Sequence, residues 1–125
     1  MEYKFTIPLK PITKKNSQRI VFTGSGRPFI IPSEAYTKYE KECRAYMPDI
    51  KTIERSVNVK AVYYMPTGRR VDLTNLHEAL HDILVHYEIL KDDNCKIIVF
   101  TDGSYVDVDK WYPRTEVTIT DVETG

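Results

Sequence analysis

A chain of 125 residues and 14.6 kDa, 42% hydrophobic and 29% charged, has the size and make-up of one folded domain spanning residues 1–125. Those values exclude a disordered chain, a fibrous repeat and a disulfide scaffold, and the two cysteines, Cys43 and Cys95, are expected as thiols without metal-ligand spacing. The formal net charge is +0, yet residues 1–71 carry +8 and residues 72–125 carry −8. Basic residues neutralise phosphates and clustered carboxylates hold hard divalent cations, although two solvated surfaces would give the same tally. No apolar run approaches the length of a bilayer span. The N-terminus, MEYKFTIPLK, has no secretory-leader shape, so a cytoplasmic protein without membrane contact is expected.

Tyr3, Phe5 and Ile7 alternate with Lys4 and Thr6, which predicts a strand ended by Pro8 and Pro11. The polar, basic stretch of residues 12–18 reads as a loop. Arg19–Phe22 and Pro28–Ile31 flank Gly24-Ser25-Gly26, the pattern of a hairpin. Ser33 is an N-cap candidate for a helix carrying Tyr36, Tyr39, Cys43 and Tyr46, stopped by Pro48. Val57, Val59, Ala61 and Tyr63 alternate as a strand, and the loop Pro66-Thr67-Gly68-Arg69-Arg70 follows.

The second helix is the clearest element. Asn75 and Glu78 have capping-box spacing, and Leu76, Ala79, Leu80, Ile83, Leu84 and Tyr87 share one face. The acidic corner Lys91-Asp92-Asp93-Asn94 leads into three strands, Lys96–Thr101, Tyr105–Val108 and Thr115–Thr120, with Asp102-Gly103 read as a hairpin turn. This order lacks regular βαβ alternation. It predicts an α+β fold, a mixed β-sheet with two main helices packed on one face.

Two chemistries compete for the second helix. His77-Glu78-Ala79-Leu80-His81 matches H-E-x-x-H, which sets two imidazoles on one side of a helix with a glutamate to activate a zinc-bound water. The same residues also fit a bland reading, in which Glu78 completes a cap and the histidines flank a buried face. The other feature is the carboxylate set Asp72, Asp82, Asp92 and Asp93 around the helix, which would bind Mg²⁺ or Mn²⁺ if folding brings its members together. Against it, Asp72 is suited to support a helix N-terminus and Asp92-Asp93 to form a turn.

The stretch Met65-Pro66, Arg69-Arg70, Asp72-Leu73-Thr74-Asn75-Leu76, Ala79, Asp82, Leu84 and Asp92-Asp93 resembles the RusA family of Holliday-junction resolvases. That family's pattern is D-x-D-N, a Lys three residues after the Asn, then D-A-L and a D-D pair before a strand. Upstream, Pro11, Lys14-Lys15-Asn16, Gly26-Arg27, Pro32-Ser33 and Tyr36 look like its N-terminal strand, Asn-bearing loop and helix start, so the resemblance runs from about residue 3 to residue 120. Asp72, Asn75, Asp82 and Asp93 match; Thr74 stands for the second Asp and Glu78 for the Lys.

The resemblance implies a homodimeric endodeoxyribonuclease that cuts four-way junction DNA in recombination and repair, with one active site per opposed strand. It implies catalytic, metal-holding roles for Asp72 and Asp93 with Mg²⁺ (Mn²⁺ as the alternative). Where Thr74 leaves the second carboxylate missing, Glu78 or Asp82, four apart on one helix face, would restore the charge as a metal ligand, with Asp102 the next candidate. Asn75 would support the site structurally. Lys14, Lys15, Asn16, Arg19, Arg69 and Arg70 would contact the DNA. The alternatives are a zinc hydrolase built on His77, Glu78 and His81, and a junction-binding module whose catalysis has decayed through Thr74.

Overall fold

Alternating apolar residues in the first strand need a neighbour to bury them, and the last strand supplies it. Strand β1 (Glu2–Ile7) pairs antiparallel with β7 (Arg114–Asp121), and β7 pairs antiparallel with β4 (Val57–Met65). The computed structural model describes residues 1–14, 18–22, 24 and 26–122; within them the side chains of residues 18–21 and 29–32 are not described. β2 (Gln18–Phe22) and β3 (Pro28–Pro32) form the expected hairpin as a separate two-stranded sheet. Gly26 takes the positive φ of 80° that its turn requires.

Helix α1 (Glu34–Cys43) starts where Ser33 predicts, since the Ser33 hydroxyl accepts from the Tyr36 N–H at 3.2 Å. Helix α2 (Leu73–His86) follows β4. Tyr36, Tyr39 and Cys43 from α1 and Leu76, Ala79, Leu80, Ile83 and Leu84 from α2 are buried in one cluster with Val57, Val59, Ala61 and Tyr63 of β4 and Val117 and Ile119 of β7. These alternate positions define one face of the sheet, so both helices cover that face. The fold is α+β, as the element order predicts.

Two local expectations are corrected. The N-cap of α2 is Asp72, three residues ahead of Asn75. An early start adds the partly buried Leu73 to the apolar stripe with Leu76 and Leu80, and the Asp72 carbonyl accepts from the N–H groups of Asn75 and Leu76, both at 3.1 Å. Asn75 is therefore inside the first turn, and no capping box with Glu78 forms.

Asp102-Gly103 is not a hairpin turn. Strands β5 (Ile98–Phe100) and β6 (Tyr105–Val108) both run parallel to β4, pairing at Val57–Asn58 and at Val62–Met65. They form one interrupted edge. At the interruption the Asn58 amide replaces the missing ladder, donating to the Asp102 carbonyl at 3.2 Å and accepting its N–H at 2.8 Å, while Ser104 Oγ accepts from Ala61 N at 3.0 Å. Gly103 turns the chain at φ 87°, and a Cβ there would stand 3.1 Å from the Lys60 side chain.

Candidate active site

Parallel β1 and β4 end on the same side of the molecule, and β7 begins there. The chain passages that leave this end, residues 8–13 and 65–71, enclose a cleft of about 610 Å³ lined by Lys10, Pro11, Ile12, Thr13, Met65, Pro66, Thr67, Arg69, Arg70 and Val71. Ligand sites collect at the carboxyl ends of parallel strands because loops there are free to vary over a fixed scaffold. Three cations line this cleft. Arg69 and Arg70 were legible from sequence; Lys10 was not, because it follows a strand rather than sitting in a basic run.

Asp72 stands immediately beyond Val71, exposed at the N-terminus of α2. Its side chain makes no bond to the helix backbone; it accepts instead from Asn75 Nδ2 at 3.3 Å. The carboxylate thus lies in the positive field of a helix start with one weak partner, oriented by the Asn that the family pattern places three residues on. Thr74, the residue in place of the family's second Asp, is also exposed in this first turn.

A different group forms on the flank of α2. Lys14 reaches Asp82 at 2.7 Å, a half-buried ion pair, and its ammonium lies 5.7 Å from the Tyr36 ring centroid. The Asp82 hydrogen bond raises the Lys14 pKa, and the charges of Glu78 and Glu40 act the same way. Position 78, acidic where the family pattern has Lys, is therefore served by a cation from the N-terminal loop. Lys15 and Asn16 lie outside the described residues, as does the side chain of Arg19.

Asp92 and Asp93 follow at the other end. Asp92 is a turn residue, its carboxylate accepting from Asp93 N at 2.7 Å and Asn94 Nδ2 at 3.1 Å, which lowers its pKa. Partial burial raises the carboxyl of Asp93, and the Asp92 carboxyl and the Asp82 charge add to that. The structure thus brings Lys14, Glu78, Asp82 and Asp93 into one electrostatic neighbourhood.

Asp72 heads α2, whose 14 residues span about 21 Å, and Asp93 lies past its last turn, within reach of the Asp82 charge. Among the described residues no group of three or more His, Cys, Asp or Glu side chains is placed to hold a metal ion, so the described carboxylates do not by themselves fit a divalent cation.

The H-E-x-x-H residues are accounted for differently. His77 is buried, with Nδ1 2.7 Å from the Tyr63 hydroxyl, and its ring stacks on His81 at 5.4 Å and 7°. Both Nε2 atoms are buried without a hydrogen-bond partner among the described residues. The Glu78 charge acts on Lys14, and among the described residues no third ligand joins the two imidazoles. Asp102 uses its backbone at the edge interruption, and its side chain is exposed at a turn.

On this α+β scaffold the exposed Asp72 carboxylate at the start of α2 stands next in the chain to a cleft lined by Lys10, Arg69 and Arg70. The sequence matches the family model described as Endodeoxyribonuclease RusA over residues 8–120. The chain belongs to that family, and the match covers nearly its whole length. No curated protein matches the sequence. No helix among the described residues is long and apolar enough to cross a membrane.

Proposed function

We propose that this protein is a structure-selective DNA endonuclease that resolves four-way junctions by paired phosphodiester hydrolysis, acting as a homodimer. Membership of the RusA endodeoxyribonuclease family across residues 8–120 carries the reading. The cleft of Lys10, Arg69 and Arg70 supports it, because its lining ends at Val71, the residue before the exposed Asp72 carboxylate.

The roles follow from chemistry. Lys10, Arg69 and Arg70 hold and register the phosphate backbone, which positions DNA without reading sequence. Asn75 orients the Asp72 carboxylate. Lys14 keeps Asp82 paired and reduces the repulsion between Asp82, Glu78 and Asp93 that would otherwise destabilise this face. Mg²⁺, with Mn²⁺ as the alternative, is the ion the family resemblance points to, and it would supply charge stabilisation at the scissile phosphate. Among the described residues no three His, Cys, Asp or Glu side chains gather around one point. A two-fold pair of chains matches the approximate symmetry of a junction, and it also offers carboxylates a second route to one another. Cytoplasmic action in recombination and repair fits an enzyme of this class.

The test is nicking of a synthetic four-way junction. The wild type should introduce paired, opposed nicks in Mg²⁺ and none in EDTA, and linear duplex of the same sequence should stay intact. Junction binding without nicking in either Mg²⁺ or Mn²⁺ would instead identify a binding module decayed at Thr74.

A further inference from the structure

Beside the cleft stands a residue that this function has not used. Trp111, the only tryptophan of the chain, is 86% exposed. An indole left in water forgoes one of the largest burial gains any side chain offers, so a fixed, exposed one marks a contact surface.

The loop that carries it is held at Asp109, Trp111, Tyr112 and Arg114. Asp109 N donates to the Met65 carbonyl at 2.9 Å, tying the loop to the cleft wall. Asp109 Oδ1 accepts from the N–H groups of Trp111 and Tyr112, both at 3.1 Å, and Oδ2 takes Arg114 Nη1 at 2.8 Å. Arg114 also donates to the Tyr112 carbonyl at 2.9 Å, and its guanidinium lies between the rings of Tyr64 and Tyr112, at 3.8 and 4.6 Å. Pro113 restricts the remaining backbone. The backbone that carries the ring is ordered before any partner arrives, which favours binding.

Charge selects the partner. The Lys110 ammonium sits 5.0 Å from the Trp111 centroid, Arg114 pairs with both Asp109 and Glu116, and the bond from Asp109 N to the Met65 carbonyl connects the loop to the cleft of Lys10, Arg69 and Arg70. An aromatic face flanked by cations fits a nucleobase whose neighbouring phosphates meet those cations. In a linear duplex the base faces are covered by their neighbours. They become accessible where stacking is interrupted, as at the centre of a branch.

We propose that Trp111 is a base-stacking platform that engages an unstacked base face at a DNA branch point while the Lys10–Arg69–Arg70 cleft holds the adjoining phosphates. The proposal rests on the endonuclease reading and adds to it the residue that distinguishes branched from linear DNA.

Because Trp111 is the sole tryptophan, its emission reports on the loop alone. In EDTA, where cleavage is absent, a four-way junction should quench and shift that emission. A duplex of matching sequence with hairpin-closed ends should do so far less. Trp111→Ala should weaken junction binding about tenfold or more and leave duplex binding unchanged, whereas Trp111→Phe keeps most of the affinity. All three proteins should melt together, since the ring is exposed.

Tight junction binding with unchanged emission and an unaffected Trp111→Ala variant would overturn the platform and leave the endonuclease reading standing. Failure of the wild type to bind any DNA would overturn both. Emission that shifts with protein concentration alone, with Trp111→Ala becoming monomeric, would overturn the platform by assigning the ring to an interface between two copies.

Discussion

Asp72 caps a helix with its backbone and leaves its carboxylate outside the helix bonds, so charge and stability separate at this residue. Asp72→Asn should cut nicking by roughly a hundredfold or more while junction binding and melting temperature stay near wild type. A variant that nicks at the wild-type rate would remove Asp72 from the site. The stacked histidines behave oppositely, as groups whose charge the fold resists. Burial, helped by the neighbouring His77, pushes the His81 pKa down to about 4, while Asp82 opposes the shift. Burial lowers His77 as well. The unfolded chain binds these protons more readily, near the ordinary histidine pKa of about 6.5. Stability is therefore complete above that value and falls as pH drops toward 4, His81 accounting for about 2–3 kcal/mol of the loss by pH 4.5. Thermal melts across this range check the slope, which His81→Leu should reduce.

At the scale of elements, the edge of the sheet depends on a side chain. Asn58 supplies two hydrogen bonds where the β5–β6 interruption leaves β4 without a backbone partner. Asn58→Ala should cost about 1–2 kcal/mol and speed amide exchange at Asp102, leaving the β1–β7–β4 ladder protected. Helix α2 is held by packing instead. Ile83 is fully buried, and Ile83→Ala should cost about 2–5 kcal/mol through lost contacts and a residual cavity. Melting or denaturant unfolding of the two variants separates an edge effect from a core effect.

Across the whole molecule, charge is sorted by position. The cations Lys10, Arg69 and Arg70 line the cleft ahead of α2, and Asp92 and Asp93 follow the helix in the chain. DNA affinity should fall steeply with salt, and the slope of log affinity against log salt should decrease by about one for each of Arg69→Ala and Arg70→Ala. Paired nicks on opposed strands need two such molecules. Sedimentation at micromolar concentration should report about twice the 14.6 kDa chain mass, and a strict monomer on and off DNA would exclude a symmetric cut.

Periodicity and punctuation were enough to read most elements from the amino-acid order, because they act locally. Ser33 capped its helix, the strands on either side of Gly24 and Gly26 paired as a hairpin, and alternating Val57, Val59, Ala61 and Tyr63 faced the core. The pattern around Asp72, Asn75 and Asp93 pointed to the family that the match over residues 8–120 bears out. What local signals do not carry is which of two equivalent residues or partners wins once the chain packs. Asp72 and Asn75 were both competent caps, and burial of Leu73 decided between them. Asp102-Gly103 carried a turn signal, but whether a turn reverses the chain depends on the strand beside it, here β4, which pairs with both flanking segments. Lys14 met Asp82 across 68 positions, and the loop of Trp111 was tied to the cleft wall by the bond from Asp109 N to the Met65 carbonyl. Such contacts depend on the path of the whole backbone, and tertiary structure alone decided them.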